Sequence, residues 1–239
     1  MSDQRSTVYD ESTGPVEPTS RRPADRETWA SLYTLLAEGL KHPDERLHRD
    51  VKTGRFAAEL TDLAETLSVP VPDGAGTPDA IPAGRAGFDN EYVALFEGLR
   101  VPYAPLIESV YRPWYDTTAS EGLRSGPPAA DMQDRYDAAG IAVPPAYPPD
   151  HLALLLEYAA VLLRAGEREA YLRFLDRHLG WLPALQRMAD EAAANAPFHS
   201  YCVAAVCETV AAARGREGIG PPRSDVVEEM VDRVERRVE

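Results

Sequence analysis

Residues 149–166 read PDHLALLLEYAAVLLRAG. His151, Leu155, Tyr158 and Leu162 recur there at steps of three and four, which places them on one stripe of a helix. Asp150 follows two prolines in the position of an N-cap, and Gly166 supplies the stop. The same period runs outward in both directions. Upstream, Trp29, Leu32, Tyr33, Leu36 and Leu40 define a helix from Asp25 to about His42-Pro43. Thr53 is the expected cap of a second helix carrying Phe56, Leu60, Leu63 and Leu67, which Pro70 and Pro72 end. A loop through Gly84 leads to a helix lined by Tyr92, Leu95, Phe96 and Leu99. Asp131 to Ala139 forms another, with Met132, Tyr136 and Ala139 on one side. Downstream, helices are expected over 167–179, 182–195 and 198–213. No stretch alternates β-branched residues with period two, and the prolines gather at helix ends. These patterns define an all-α fold, a single-domain bundle of about eight to ten helices.

The 239 residues divide into three parts. Residues 1–24, rich in Ser, Thr, Pro and charge, form an expected disordered tail. Residues 25–213 make the helical domain. Residues 214–239 hold a Gly-Pro-Pro linker and a C-terminal amphipathic helix, whose Val227, Met230, Val234 and Val238 share a face to dock on the body or on a partner.

Acidic residues outnumber basic ones by 39 to 25, a net charge of −14, which excludes a nucleic-acid binder relying on phosphate neutralisation. No window approaches the roughly 20 apolar residues of a membrane span, and no apolar run comes after the N-terminal Met1-Ser2-Asp3 or the Arg21-Arg22 pair. Two cysteines, Cys202 and Cys207, make no disulfide framework and fit a reducing cytoplasmic setting. The five histidines, at 42, 48, 151, 178 and 199, have no metal-ligand spacing, so no metal site is expected. Phosphate-binding, nucleophile-elbow and zinc-protease motifs are all missing, and no cofactor is expected.

Two polar pairs remain. Asp150-His151 reads either as a carboxylate orienting an imidazole base or as a helix cap with its first turn. Glu108-Ser109 reads either as an acid beside a nucleophile or as a capping element in a short helix among prolines. Tyr92, Phe96, Tyr103, Tyr111, Trp114 and Tyr115 make an aromatic-dense stretch around the second pair.

Glu91-Tyr92-Val93-Ala94-Leu95-Phe96-Glu97-Gly98 and then Pro102-Tyr103-Ala104-Pro105-Leu106-Ile107-Glu108-Ser109-Val110-Tyr111 resemble the signature of the TorD/DmsD family of cytoplasmic redox-enzyme maturation chaperones. Tyr136, Gly140-Ile141 and Pro149-Asp150-His151 with the apolar helix behind them resemble the family's second motif. Phe174 to Leu179, Trp181 and Pro183 resemble its C-terminal helices, so the resemblance spans about residues 26–213. It implies an all-helical TorD-like fold without enzymatic activity. It also implies a role in binding the twin-arginine signal peptide and catalytic subunit of an apo molybdopterin oxidoreductase, keeping it competent for cofactor insertion and back from export. The client-binding positions it carries over are Leu95, Phe96, Pro105, Asp150 and His151, with Glu108, Ser109 and Tyr111 alongside. Pro105-Leu106-Ile107 departs from relatives that carry Pro-Pro and then Trp or Tyr, so an aliphatic contact replaces an aromatic one. A signal peptide offers two arginines and then an apolar run. Leu95, Phe96, Leu106 and Ile107 are expected to line a groove for the run, and Asp150, Glu108 or the general acidity to attract the arginines. On that reading, replacing Asp150 and His151 weakens peptide binding without lowering the melting temperature. A monomer is expected, although the family also contains domain-swapped dimers. The rival readings are a stand-alone enzyme using Asp150-His151 and a helical adaptor or regulator that contacts another protein through its C-terminal helix.

Overall fold

The expected helix after Asp150 is Leu152–Ala165, and it is buried on nearly every side rather than along one stripe. Leu152, Ala153, Leu154, Leu155 and Leu156 are consecutive and all buried, which only a helix at the centre of a bundle can achieve. This and the other elements come from a computed structural model describing residues 23–73, 81–98, 103–112, 126–191 and 194–236. The expected tail through residue 22, Leu99, Trp114, Tyr115 and Val238 lie outside the described residues.

In chain order the helices are α1 (Pro23–Gly39), α2 (Glu45–Lys52), α3 (Arg55–Leu67), α4 (Arg85–Tyr92), a π turn (Val93–Glu97), α5 (Glu108–Tyr111) and α6 (Pro127–Ala139). They continue as α7 (Leu152–Ala165), α8 (Arg168–His178), α9 (Leu182–Glu191), α10 (Pro197–Arg216) and α11 (Ser224–Glu235). The all-α class stands: the described residues hold no strand, only an isolated antiparallel bridge between Ile107 and His151.

α1 lies along α7 in the most extensive helix pair of the fold. Arg164 near the end of α7 pairs with Glu27 near the start of α1, so the two run antiparallel. Trp29, Leu32, Tyr33, Leu36 and Leu40 are fully buried on this side, as the period predicts, and Ala30 and Ala37 let the backbones approach. Each such leucine contributes about 2 kcal/mol of burial free energy. α8 folds back on α7 through Gly166, whose φ of 76° is the left-handed conformation that a helix stop requires. The Tyr33 and Tyr171 hydroxyls meet at 2.9 Å across the buried space between α1 and α8. α10 spans α1, α8 and α9, and α3 covers another side of α1.

Two local expectations are corrected. The described residues contain eleven α-helices, in keeping with the expected bundle of about eight to ten; the helix not anticipated is the short α2, whose two buried apolar residues, Leu47 and Val51, lie one turn apart. Asp44 caps it, its Oδ1 accepting from the Leu47 N–H at 2.7 Å. Thr53 ends α2 instead of capping α3, and the residue before α3 is Gly54 at φ 74°. α10 continues three residues past 213 to Arg216, with Gly218 at φ 74° after it. α11 docks on α9 and α5 and buries Met230, Val231 and Val234.

Candidate functional site

The π turn continues α4 without a break. An extra residue in the helical ladder widens the turn there, a local irregularity that is frequent at functional sites. Leu95 and Phe96 are turned into the protein, while Val93, Ala94 and Glu97 stay exposed. Gly98 ends the turn in an extended conformation, and a Cβ there would come within 2.7 Å of the Ala94 carbonyl oxygen. The backbone then ties back, the Ala104 N–H donating to the Leu95 carbonyl at 2.8 Å.

The two motif segments meet at the Ile107–His151 bridge. Leu152 N–H donates to the Leu106 carbonyl at 2.8 Å, and Glu108 N–H donates to the Asp150 carbonyl at 3.2 Å. Asp150 is fully buried and does not cap α7. Its Oδ2 accepts from the Ser109 N–H at 2.7 Å and from the Ser109 hydroxyl at 2.5 Å, so it caps α5, about forty residues upstream in the chain. Burial raises its carboxyl above the ordinary range, and the Ser109 hydrogen bonds pull back against that shift. His151 takes the capping role at α7, with Nδ1 accepting from the Ala153 N–H at 3.3 Å. The pair thus caps two different helices, and Ser109 donates its hydroxyl proton to a carboxylate.

Glu108 is also fully buried. Its Oε2 lies 2.8 Å from Nδ1 of His178, whose Nε2 lies 3.0 Å from Oδ2 of Asp131. This chain of contacts joins α5, α8 and α6. Burial pushes the Glu108 carboxyl above its ordinary range, although the His178 contact lowers it. Asp131 is held below its usual value: partial burial works against that, and the Arg135 and His178 contacts outweigh it. Sequence reading missed His178, because the spacing between 108, 131 and 178 has no local period.

A cleft of about 220 Å³ opens against the bridge, lined by Tyr92, Phe96, Glu97, Tyr103, Leu106, Ile107, Ala146, Tyr147, Pro148 and His151. Of the expected client-binding residues, Phe96, Leu106, Ile107 and His151 reach its wall. Leu95, Pro105, Glu108, Ser109, Tyr111 and Asp150 are buried and do not line it. Leu95, expected to line the groove, is buried and off its wall, and Asp150 and Glu108, expected with the general acidity to attract the arginines, face inward to Ser109 and His178. Glu97 and Tyr147 were missed as site residues. Their signals were an acid directly after Leu95-Phe96 and a tyrosine set among prolines.

Leu106 and Ile107, in place of an aromatic residue, still sit on the wall, where Tyr103 and Tyr147 supply the rings. A second, more apolar cleft of about 350 Å³ is lined by Tyr136, Ile141, Val143, Pro144, Leu154 and Val161, among others. The loop before α7 serves both clefts, giving residues 141–144 to this one and 146–148 to the first.

Behind Phe96 lies His199, fully buried, its ring stacked on Phe96 at 5.7 Å and edge-on to Phe88, Tyr92 and Phe198. Neither ring nitrogen has a hydrogen-bond partner among the described residues. Burial lowers its pKa to about 3. The native state therefore refuses a proton that the unfolded chain takes up below about pH 6.5, and stability falls as pH drops from there toward 3. His199→Phe is expected to raise the unfolding free energy by about 1 kcal/mol at pH 7, because two orphaned polar atoms are removed. It is also expected to flatten this acid limb, as read by urea titrations across the range. A stability profile identical to that of the unaltered protein would refute this account.

The bundle thus brings the two motif segments together around one recess. Residues 53–187 match the nitrate reductase delta subunit family, and the chain belongs to it. This is a family of molybdoenzyme maturation chaperones, in agreement with the resemblance to the TorD/DmsD proteins. No curated protein matches the chain. No described helix is long and apolar enough to cross a membrane.

Proposed function

We propose that the aromatic cleft at the Ile107–His151 bridge receives an extended segment of the apo catalytic subunit of a molybdopterin oxidoreductase, its twin-arginine signal peptide, in the cytoplasm. Holding that peptide delays export while the cofactor is inserted, and requires no turnover by the chaperone itself. The observation carrying this reading is that the two motif segments, far apart in sequence, are joined by backbone hydrogen bonds around one recess with an exposed carboxylate at its rim. An extended peptide meets rings, a half-buried isoleucine and an acid there, the chemistry that suits a basic-then-apolar sequence.

Calorimetric titration of the full chain with a twin-arginine signal peptide from a molybdopterin reductase is expected to give micromolar or tighter binding, about −8 kcal/mol or better. Shortening the peptide's apolar run should weaken it. Ile107→Asp, which puts a charge on the wall, is expected to reduce affinity at least about tenfold. If no such peptide binds to the folded protein, the client reading fails and the helical adaptor reading replaces it.

A further inference from the structure

We infer that this cleft is a pocket for a single guanidinium group, with Glu97 as the carboxylate that receives it and the tyrosine-rich wall as the surface on which it lies. The inference deepens the client reading and rests on it only for the source of the arginine.

Three observations carry it. Glu97 is the one carboxylate lining the cleft among the described residues, it is exposed, and it pairs with no cation among them. Glu108 and Asp150, the acids beside the Ile107–His151 bridge, are committed to His178 and Ser109 and are buried away from an incoming ligand. A solvent-borne cation entering the cleft therefore meets Glu97. The second observation is the wall. Tyr92 donates its hydroxyl to the Leu40 carbonyl at 3.2 Å, and the Tyr147 hydroxyl accepts from the His42 N–H at 3.0 Å. With those hydroxyls engaged, Tyr92 and Tyr147 offer mainly ring surface. A guanidinium both forks onto a carboxylate and stacks on rings, whereas an ammonium does neither as well. The third is size and rigidity: at about 220 Å³ the cleft has room for one long side chain of an extended segment laid across it. The π turn and its Gly98 stop hold Glu97 at the rim before any ligand arrives, which reduces the ordering cost of binding.

The test uses the whole protein with two small probes, acetyl-arginine amide and acetyl-lysine amide, and reads the NMR shifts of labelled tyrosine rings. Acetyl-arginine amide is expected to bind with millimolar affinity and to move the Tyr147 and Tyr103 signals, with acetyl-lysine amide at least about fivefold weaker. Glu97→Gln is expected to weaken the arginine probe about tenfold with an unchanged melting temperature, since this exposed side chain has no structural partner among the described residues. Equal binding of the two probes, or equal binding by Glu97→Gln and the unaltered protein, would overturn the pocket. Titrating the signal peptide separates the two claims. A Glu97-dependent arginine site with no peptide binding removes the client reading and keeps the pocket. Peptide binding indifferent to Glu97→Gln keeps the client reading and removes the pocket.

Discussion

His178→Ala is expected to lower stability by about 3–5 kcal/mol, the usual cost of leaving a buried ionisable partner uncompensated. For a protein of this length that corresponds to roughly 10 °C in the thermal midpoint. The reason is local. His178 and Glu108 both have fully buried side chains 2.8 Å apart, so removing the ring strands the Glu108 carboxyl with no route to water. The ring also bridges to Asp131 at 3.0 Å, so α5, α6 and α8 lose a shared tie. The pH dependence distinguishes this cause from simple loss of packing. Burial raises the folded pKa of Glu108, so its contribution is fully present below the ordinary carboxyl value of about 4.3 and is lost as pH rises through the folded value. Without His178, which opposes that rise, the loss extends to higher pH. Glu108→Gln added to His178→Ala should recover about half the stability, because an amide carries no charge to strand. Thermal melts of both variants from pH 4 to 8 check the account, and a pH-independent deficit would refute it.

Asp150→Ala is the second large expected loss, about 3 kcal/mol and roughly 6–12 °C. It removes the acceptor of the Ser109 N–H and hydroxyl inside a site with no solvent access. Asp150→Asn keeps an acceptor oxygen and should cost less than half as much. A melt of Asp150→Ala coincident with the unaltered protein would show that these two hydrogen bonds do not hold α5. This outcome departs from the expectation that replacing Asp150 and His151 spares the melting temperature. Peptide affinity lost in an Asp150 variant therefore has to be read against its folded fraction, while Glu97 and Ile107, which are not fully buried, report on the cleft more directly.

The helical class was legible because long apolar periods such as Trp29 to Leu40 and the run after His151 leave few alternatives. The short helices were less so: α2 has two buried positions, too few to set a period, and Asp44 announces it only through a cap. The segments that build the cleft were legible by resemblance, but which side of each residue faces the recess was not. Asp150 illustrates why. In sequence it neighbours an apolar helix and looks like that helix's cap, whereas its partner is Ser109, brought close only by the bridge between Ile107 and His151. His178 and Glu108 are likewise joined by packing over a separation of 70 residues, for which a single sequence carries no periodic signal.

The π turn places a different kind of constraint on the chain. A residue removed anywhere within Val93–Glu97 would return the ladder to ordinary α-helical winding and swing the downstream backbone by about 100°. Phe96 would leave His199, and Glu97 would leave the mouth of the cleft. The direction in which the recess looks is therefore recorded in chain length, a property blind to side-chain identity. Losing one codon here would do to the recess what no single amino-acid exchange can.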